Sequence, residues 1–129
     1  MRILGVDHGT KRIGLAISDE TGTIAQSIGY VANLSEVLKA AERAGKIVVG
    51  IPRRLDGTSS EQTERALAFI ESLKVATTLP VVGWDERLTT AQAQRVLIEG
   101  NVRRKDRKEK VDQLAAQLML QSYLDAQNL

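Results

Sequence analysis

Four carboxylates stand where the pattern of the chain changes: Asp7, the adjacent pair Asp85-Glu86, and Asp112. Asp7 ends the apolar run Ile3-Leu4-Gly5-Val6, Asp85-Glu86 follows Pro80-Val81-Val82-Gly83-Trp84, and Asp112 opens a helical pattern. Carboxylates brought together repel one another, and burying them unpaired costs several kcal/mol, so a fold that gathers them usually does so to hold a cation. A site of oxygen donors alone suits hard ions such as magnesium or manganese. Taken singly, each acid has a plainer role: a turn residue at Asp7, an N-terminal helix acid at Asp112, and a surface ion-pair group at Asp85, Glu86 and Arg87. The chemistry lies in the gathering.

Composition narrows the choice further. The chain has 129 residues, 43% hydrophobic and 26% charged, which fits one globular domain spanning residues 1–129 and excludes wholesale disorder. With no cysteine there is no disulfide, thiolate zinc site or cysteine nucleophile, and with His8 as the sole histidine there is no multi-histidine metal centre. Net charge is only +2, but Arg103 to Lys110 packs six cations against two anions. Such a run is either a solvated loop or a nucleic-acid contact. Neither a signal peptide nor a membrane span is visible, and a cytoplasmic location is expected.

The elements that must position the acids follow from periodicity. Ile3 to Val6 and Ile13 to Ile17 read as two strands of a hairpin with Asp7 at its tip. Strand alternation puts Asp7 on one face with Ile3 and Gly5, and Gly5 is expected to leave open space beneath the acid. Thr23 to Val31 suits a third strand. Leu34, Val37, Leu38 and Ala41 then recur at helical spacing behind an Asn33/Glu36 capping box, and Gly45 ends that helix. Ile47 to Ile51 lacks alternation, as a central parallel strand does. A helix with Ala66, Phe69, Ile70 and Leu73 inward follows, with Thr58 and Glu61 as its expected capping box. After the strand ending at Trp84, a helix from about Thr89 to Gly100 is predicted, then the basic run as a flexible segment, then a final helix from about Glu109 to Ala126. Ala115 and Ala116 are small enough to bring that last helix close to the sheet. The order implies an α/β fold, a mixed five-stranded sheet with helices on both faces. In such sheets sites collect beyond the carboxyl ends of the strands.

Asp7-His8-Gly9-Thr10-Lys11-Arg12-Ile13-Gly14, Gly50-Ile51-Pro52 with Asp56-Gly57-Thr58, Asp85-Glu86-Arg87-Leu88-Thr89-Thr90 and Asp112-Gln113-Leu114-Ala115-Ala116 together resemble the YqgF/RuvX family over nearly the whole chain. The resemblance implies a ribonuclease H-like fold, kinship with Holliday junction resolvases and a role in processing the precursor of 16S ribosomal RNA. It also implies a two-metal phosphodiesterase in which Asp7, Glu86 and Asp112 are the catalytic carboxylates and metal ligands. Asp85 is the alternative to Glu86, because neighbours on a strand face opposite ways. Lys11, Arg12, Arg53, Arg54 and Arg87 are candidate phosphate grips, with Thr58 or Thr89 at helix starts and Arg103, Arg104 and Lys105 as a flexible substrate clamp.

Expected partners are nucleic acid, with RNA favoured over DNA, and ribosomal precursor particles, the protein acting as a monomer or weak homodimer. Other readings are a resolvase cutting branched DNA and a non-catalytic RNA-binding assembly factor. The Asp-x-Gly-Thr turn is also found beneath phosphates in actin-like ATPases and sugar kinases, but those close two lobes over ATP, and this length offers one.

Overall fold

In the computed structural model, residues 1–87 and 104–128 are described, with side chains from residue 114 onward in the second stretch. Five strands form one sheet: β1 (Ile3–His8), β2 (Ile13–Ser18), β3 (Ala25–Val31), β4 (Lys46–Ile51) and β5 (Val81–Asp85). Their order across the sheet is β3-β2-β1-β4-β5, with β1 to β3 antiparallel and β4 and β5 parallel to β1. Helices α1 (Leu34–Ala41) and α2 (Glu61–Ala76) cover one face, and α3 (Arg104–Gln127) covers the other. The predicted helix from Thr89 to Gly100 lies outside the described residues.

Alternation along the strands divides two cores. Leu4, Val6, Ile13, Leu15, Ile47 and Val49 pack with Val37, Ala41, Ile70 and Leu73 of α1 and α2. Ala16, Ala25 and Val48 pack on the other face with Ala116, Met119, Leu120, Tyr123 and Leu124 of α3. Burial on both faces explains why β4 reads as a continuous apolar run. Trp84, at the end of β5, is partly buried on the α3 side, edge-on to Tyr123 at 5.4 Å, and its indole N–H donates to Ser122.

Local details depart from the sequence reading in three places. The α2 cap is Ser60, whose hydroxyl accepts from the Thr63 N–H at 3.3 Å, while Thr63 Oγ1 accepts from the Ser60 N–H at 2.9 Å. Thr58 stands two residues before that cap, in a turn closed by Gly57 at φ +89° where Asp56 Oδ1 accepts from its N–H and its hydroxyl at 2.9 and 2.7 Å. The final helix begins at Arg104, so residues 104–110 are helical where a flexible segment was expected. Arg, Lys and Glu are good helix formers, and no glycine or proline interrupts this stretch. Finally, Gly5 does not open a space: a Cβ there would lie 2.8 Å from Leu120 Cβ. Its bare backbone is the seat of α3.

The edge strand β3 is finished by the same helix. Gln121 accepts from the Ala25 N–H and donates to the Thr23 carbonyl, each at 2.9 Å, and Gln117 accepts from the Ser27 N–H at 3.2 Å. Asn128 donates to the Gly22 carbonyl at 3.1 Å.

The Gly5 seat sets an expected outcome. Gly5→Ala forces a methyl against a helix that cannot back away without unseating Met119 and Leu124, and overpacking of this kind costs about 1–3 kcal/mol. Urea denaturation should show the lowered midpoint; an unchanged midpoint would mean that α3 is not held this close.

Candidate active site

Asp7 stands on β1 and Glu86 directly follows β5, strands that are not neighbours. β4 lies between β1 and β5, and two strand spacings amount to about 10 Å. The gap is bridged over Gly50. A Cβ on that residue would lie 2.3 Å from Glu86 Oε1, 2.6 Å from its Cδ and 2.9 Å from its Cγ, so the Glu86 side chain lies flat on the bare β4 backbone. The Glu86 N–H donates to the Ile51 carbonyl at 3.1 Å, which extends the β4–β5 ladder by one residue and fixes where the side chain starts.

The carboxyl arrives at Asp7 in a partly buried place. Burial, then the Asp7 charge, then a hydrogen bond to the Asp7 carboxylate, and last the Asp85 charge push Glu86 up to about 9. At neutral pH Glu86 therefore keeps its proton and donates it to Asp7. Like charges this close cannot both ionise without a compensating cation.

Alternation sends Asp85 to the opposite face. Its carboxylate takes the Arg87 Nε at 3.0 and 3.1 Å and Nη2 at 2.8 Å, with Arg53 Nε at 4.0 Å. Burial works to raise Asp85, but the Arg87 hydrogen bonds and charge, helped by Arg53, outweigh it and hold the carboxyl below the usual range. Asp85 is thus neutralised by arginines while Glu86 is left to Asp7.

The two acids line a cleft of about 350 Å³ together with His8, Lys11, Arg12, Gly14, Tyr30, Pro52, Gln62 and Ala115. Lys11 and Arg12 are exposed at its rim. Arg53 and Arg87, expected to grip phosphate, are not in its lining; Asp85 draws both away. Thr89 and Arg103 lie outside the described residues, and Arg104 and Lys105 fall in the first turn of α3 with their side chains outside them. Asp112 belongs to α3 one turn before Ala115 and Ala116, and its side chain too lies outside the described residues. Ala115 lines the cleft, and Ala116 Cβ is 3.5 Å from where a Gly14 Cβ would be. Among the described residues no group of three His, Cys, Asp or Glu gathers.

Gly50 and Tyr30 were not read from the sequence as parts of the site. A glycine inside a buried strand does signal close approach, and Gly50 carried that signal.

The profile of the RuvX family, described as Holliday junction resolvase, matches residues 1–126. The chain belongs to the RuvX family. Relatives provisionally named pre-16S rRNA nuclease include those of Thermoanaerobacter pseudethanolicus, 46% identical over 98% of both chains, and Caldanaerobacter subterraneus, 48% identical over 98% of both. That of Listeria monocytogenes is 42% identical over 99% of this chain and all of its own. The fold is ribonuclease H-like: Thermus thermophilus RuvC, solved in complex with a Holliday junction substrate, superposes with a TM-score of 0.56 at 16% identity, covering 98% of this chain and 96% of that one.

Glu86 gives this RuvX chain a definite pH response. Its folded value of about 9 exceeds the ordinary 4.5, so the native state holds a proton that the unfolded state releases between them. The stability it contributes is complete below about pH 4.5 and is lost as pH rises towards about 9. Asp19, held at about 2 by hydrogen bonds from Thr21, Thr23 and Ile24, titrates below that window. In chelator, thermal melts of the wild type should fall across this window, and Glu86→Gln, which cannot ionise, should flatten the fall and melt higher at pH 8. Parallel curves for the two proteins would refute the pairing of Glu86 with Asp7.

Proposed function

We propose that this chain is a metal-dependent nuclease that hydrolyses phosphodiester bonds in the precursor of 16S ribosomal RNA, free or within ribosomal precursor particles, in the cytoplasm. The observation that carries the reading is the Asp7–Glu86 pair. Two acids are brought across an intervening strand, over a glycine that admits nothing else, into a cleft rimmed by Lys11 and Arg12. Nothing in folding rewards that convergence, since it desolvates one carboxyl beside the charge of another.

A hard divalent cation fits this donor set, which is carboxylate oxygen alone and which shares a proton in the cation's place. Asp7 and Glu86, joined by Asp112 from α3, would hold magnesium or manganese in the two-metal arrangement, whose chemistry is to acidify an attacking water and steady charge on the leaving oxygen. With the cation held there, Glu86 would give up its proton, the attraction of the cation offsetting the burial and the Asp7 charge that keep it protonated. Lys11 and Arg12 draw the phosphodiester to the rim, and Pro52, tied to α2 by the Thr63 hydroxyl, fixes the β4 side of the cleft.

Single-stranded RNA is the favoured substrate over a four-way DNA junction. Paired cuts in a junction require a symmetric dimer with two sites at fixed spacing. Among the described residues the large exposed apolar side chains are six, Met1, Ile24, Ile28, Tyr30, Leu55 and Val75, and the β3 edge that carries Ile28 and Tyr30 is partly taken by glutamines of α3. We therefore infer a monomer or weak homodimer.

Labelled single-stranded RNA and a four-way junction, each offered with magnesium or manganese, test the reading. RNA should be cut in preference, Asp7→Asn should reduce cutting to background while melting no lower than wild type, and Gly50→Ala should do the same by displacing the Glu86 carboxyl. Wild-type cleavage rates in Asp7→Asn would sink the assignment, and symmetric nicking of the junction with RNA left intact would reverse the substrate.

A further inference from the structure

Tyr30 and Arg12 meet at the mouth of the cleft in a way that charge alone does not require. Gly14 and Tyr30 are partners in the β2–β3 register. The point where a Gly14 Cβ would stand is 3.7 Å from Tyr30 Cε1 and 3.7 Å from Asp7 Cβ, so ring and acid border one small gap. Arg12 Cζ lies 3.8 Å from the centroid of the Tyr30 ring, which places the guanidinium against the ring face. Tyr30 remains 40% exposed, although it sits on an edge strand where a polar residue would cost nothing. Arg12 is exposed as well.

A guanidinium resting on an aromatic face is oriented as a plane and presents its outer side to whatever enters the cleft. Nucleobases in single-stranded RNA stack on aromatic rings and on guanidinium planes, whereas bases within a duplex are already stacked. Resting on the nuclease reading above, we propose that Arg12, held against Tyr30, is a stacking shelf for an unpaired nucleobase next to the phosphodiester at Asp7 and Glu86. The shelf selects single-stranded nucleic acid by the face of a base, independent of which base it is. Lys11 and the charge of Arg12 serve the phosphate at this rim, and the plane of the Arg12 guanidinium serves the base.

Arginine and lysine separate the two roles Arg12 can play. A phosphate grip needs only the charge, which Arg12→Lys keeps; a stacking shelf needs the plane, which Arg12→Lys loses. Binding is measured by anisotropy in chelator, without turnover, on a short single-stranded RNA and on the same sugar–phosphate chain carrying no bases. Wild type should lose roughly tenfold or more in affinity when the bases are removed. Tyr30→Ala and Arg12→Lys should bind intact RNA roughly tenfold more weakly, bind the baseless chain like wild type, and so show little response to base removal. Tyr30→Phe, which keeps the ring, should retain the wild-type response, and melting curves confirm that each variant is folded.

Arg12→Lys binding both chains like wild type would overturn the shelf, as would equal sensitivity of all proteins to base removal, or no binding of intact RNA. Cleavage with magnesium is scored separately on the wild type. Its absence would defeat the nuclease reading while the binding cycle still decided the shelf.

Discussion

Two carboxyls on strands separated by a third are held together across a backbone that has no side chain, and the rest of the molecule is arranged around that contact. Its electrostatics are unfavourable by themselves: burial and the Asp7 charge both act against ionising Glu86, which is pushed to about 9. What secures the geometry lies outside the pair. The Glu86 N–H is tied to Ile51, β4 is buried on both faces, and the bare backbone of Gly50 leaves room for the side chain to cross towards β1. A proton fills the role of a counterion, so the site holds a charge deficit that a cation can relieve.

Asp85 shows how strand alternation divides adjacent acids. Of two carboxylates next to each other in sequence, one meets arginines and drops below its ordinary range, while the other meets an acid and rises far above. The difference comes from which face of the sheet each is given, since the side chains themselves are near equals. The same division explains why Arg53 and Arg87 are absent from the cleft: they sit on the face of Asp85.

Much of this was legible from the chain alone, because hydrophobic period reports directly on strand and helix faces. The five strands, the helices on both faces and the strand-end placement of Asp7 and Glu86 followed from pattern and from the four motifs. What escaped was decided by contacts that no local pattern records. Gly5, read as open space beneath Asp7, is the seat of Leu120, a residue distant in sequence. Thr58 had the spacing of a cap, but it sits in a turn set by Asp56 and Gly57, and Ser60, two residues later, caps the helix. The basic run looked like a loop because of its charge, although helix propensity favoured continuation. Tyr30 carries no local signal of a role, and its position beside Gly14 gives it a place in the cleft.

Helix α3 contributes Ala115 to the cleft and, two to six residues further along, the glutamines that occupy the outer backbone groups of β3. Placing both on one rigid rod joins competence to sociability. Lifting the helix would dismantle one wall of the cleft and, in the same motion, uncover hydrogen-bonding groups on which a strand from another molecule could seat. A copy that has lost its α3 docking is therefore both idle and adhesive. Proteostasis acting only on stickiness would also remove the copies that have lost this wall of the cleft.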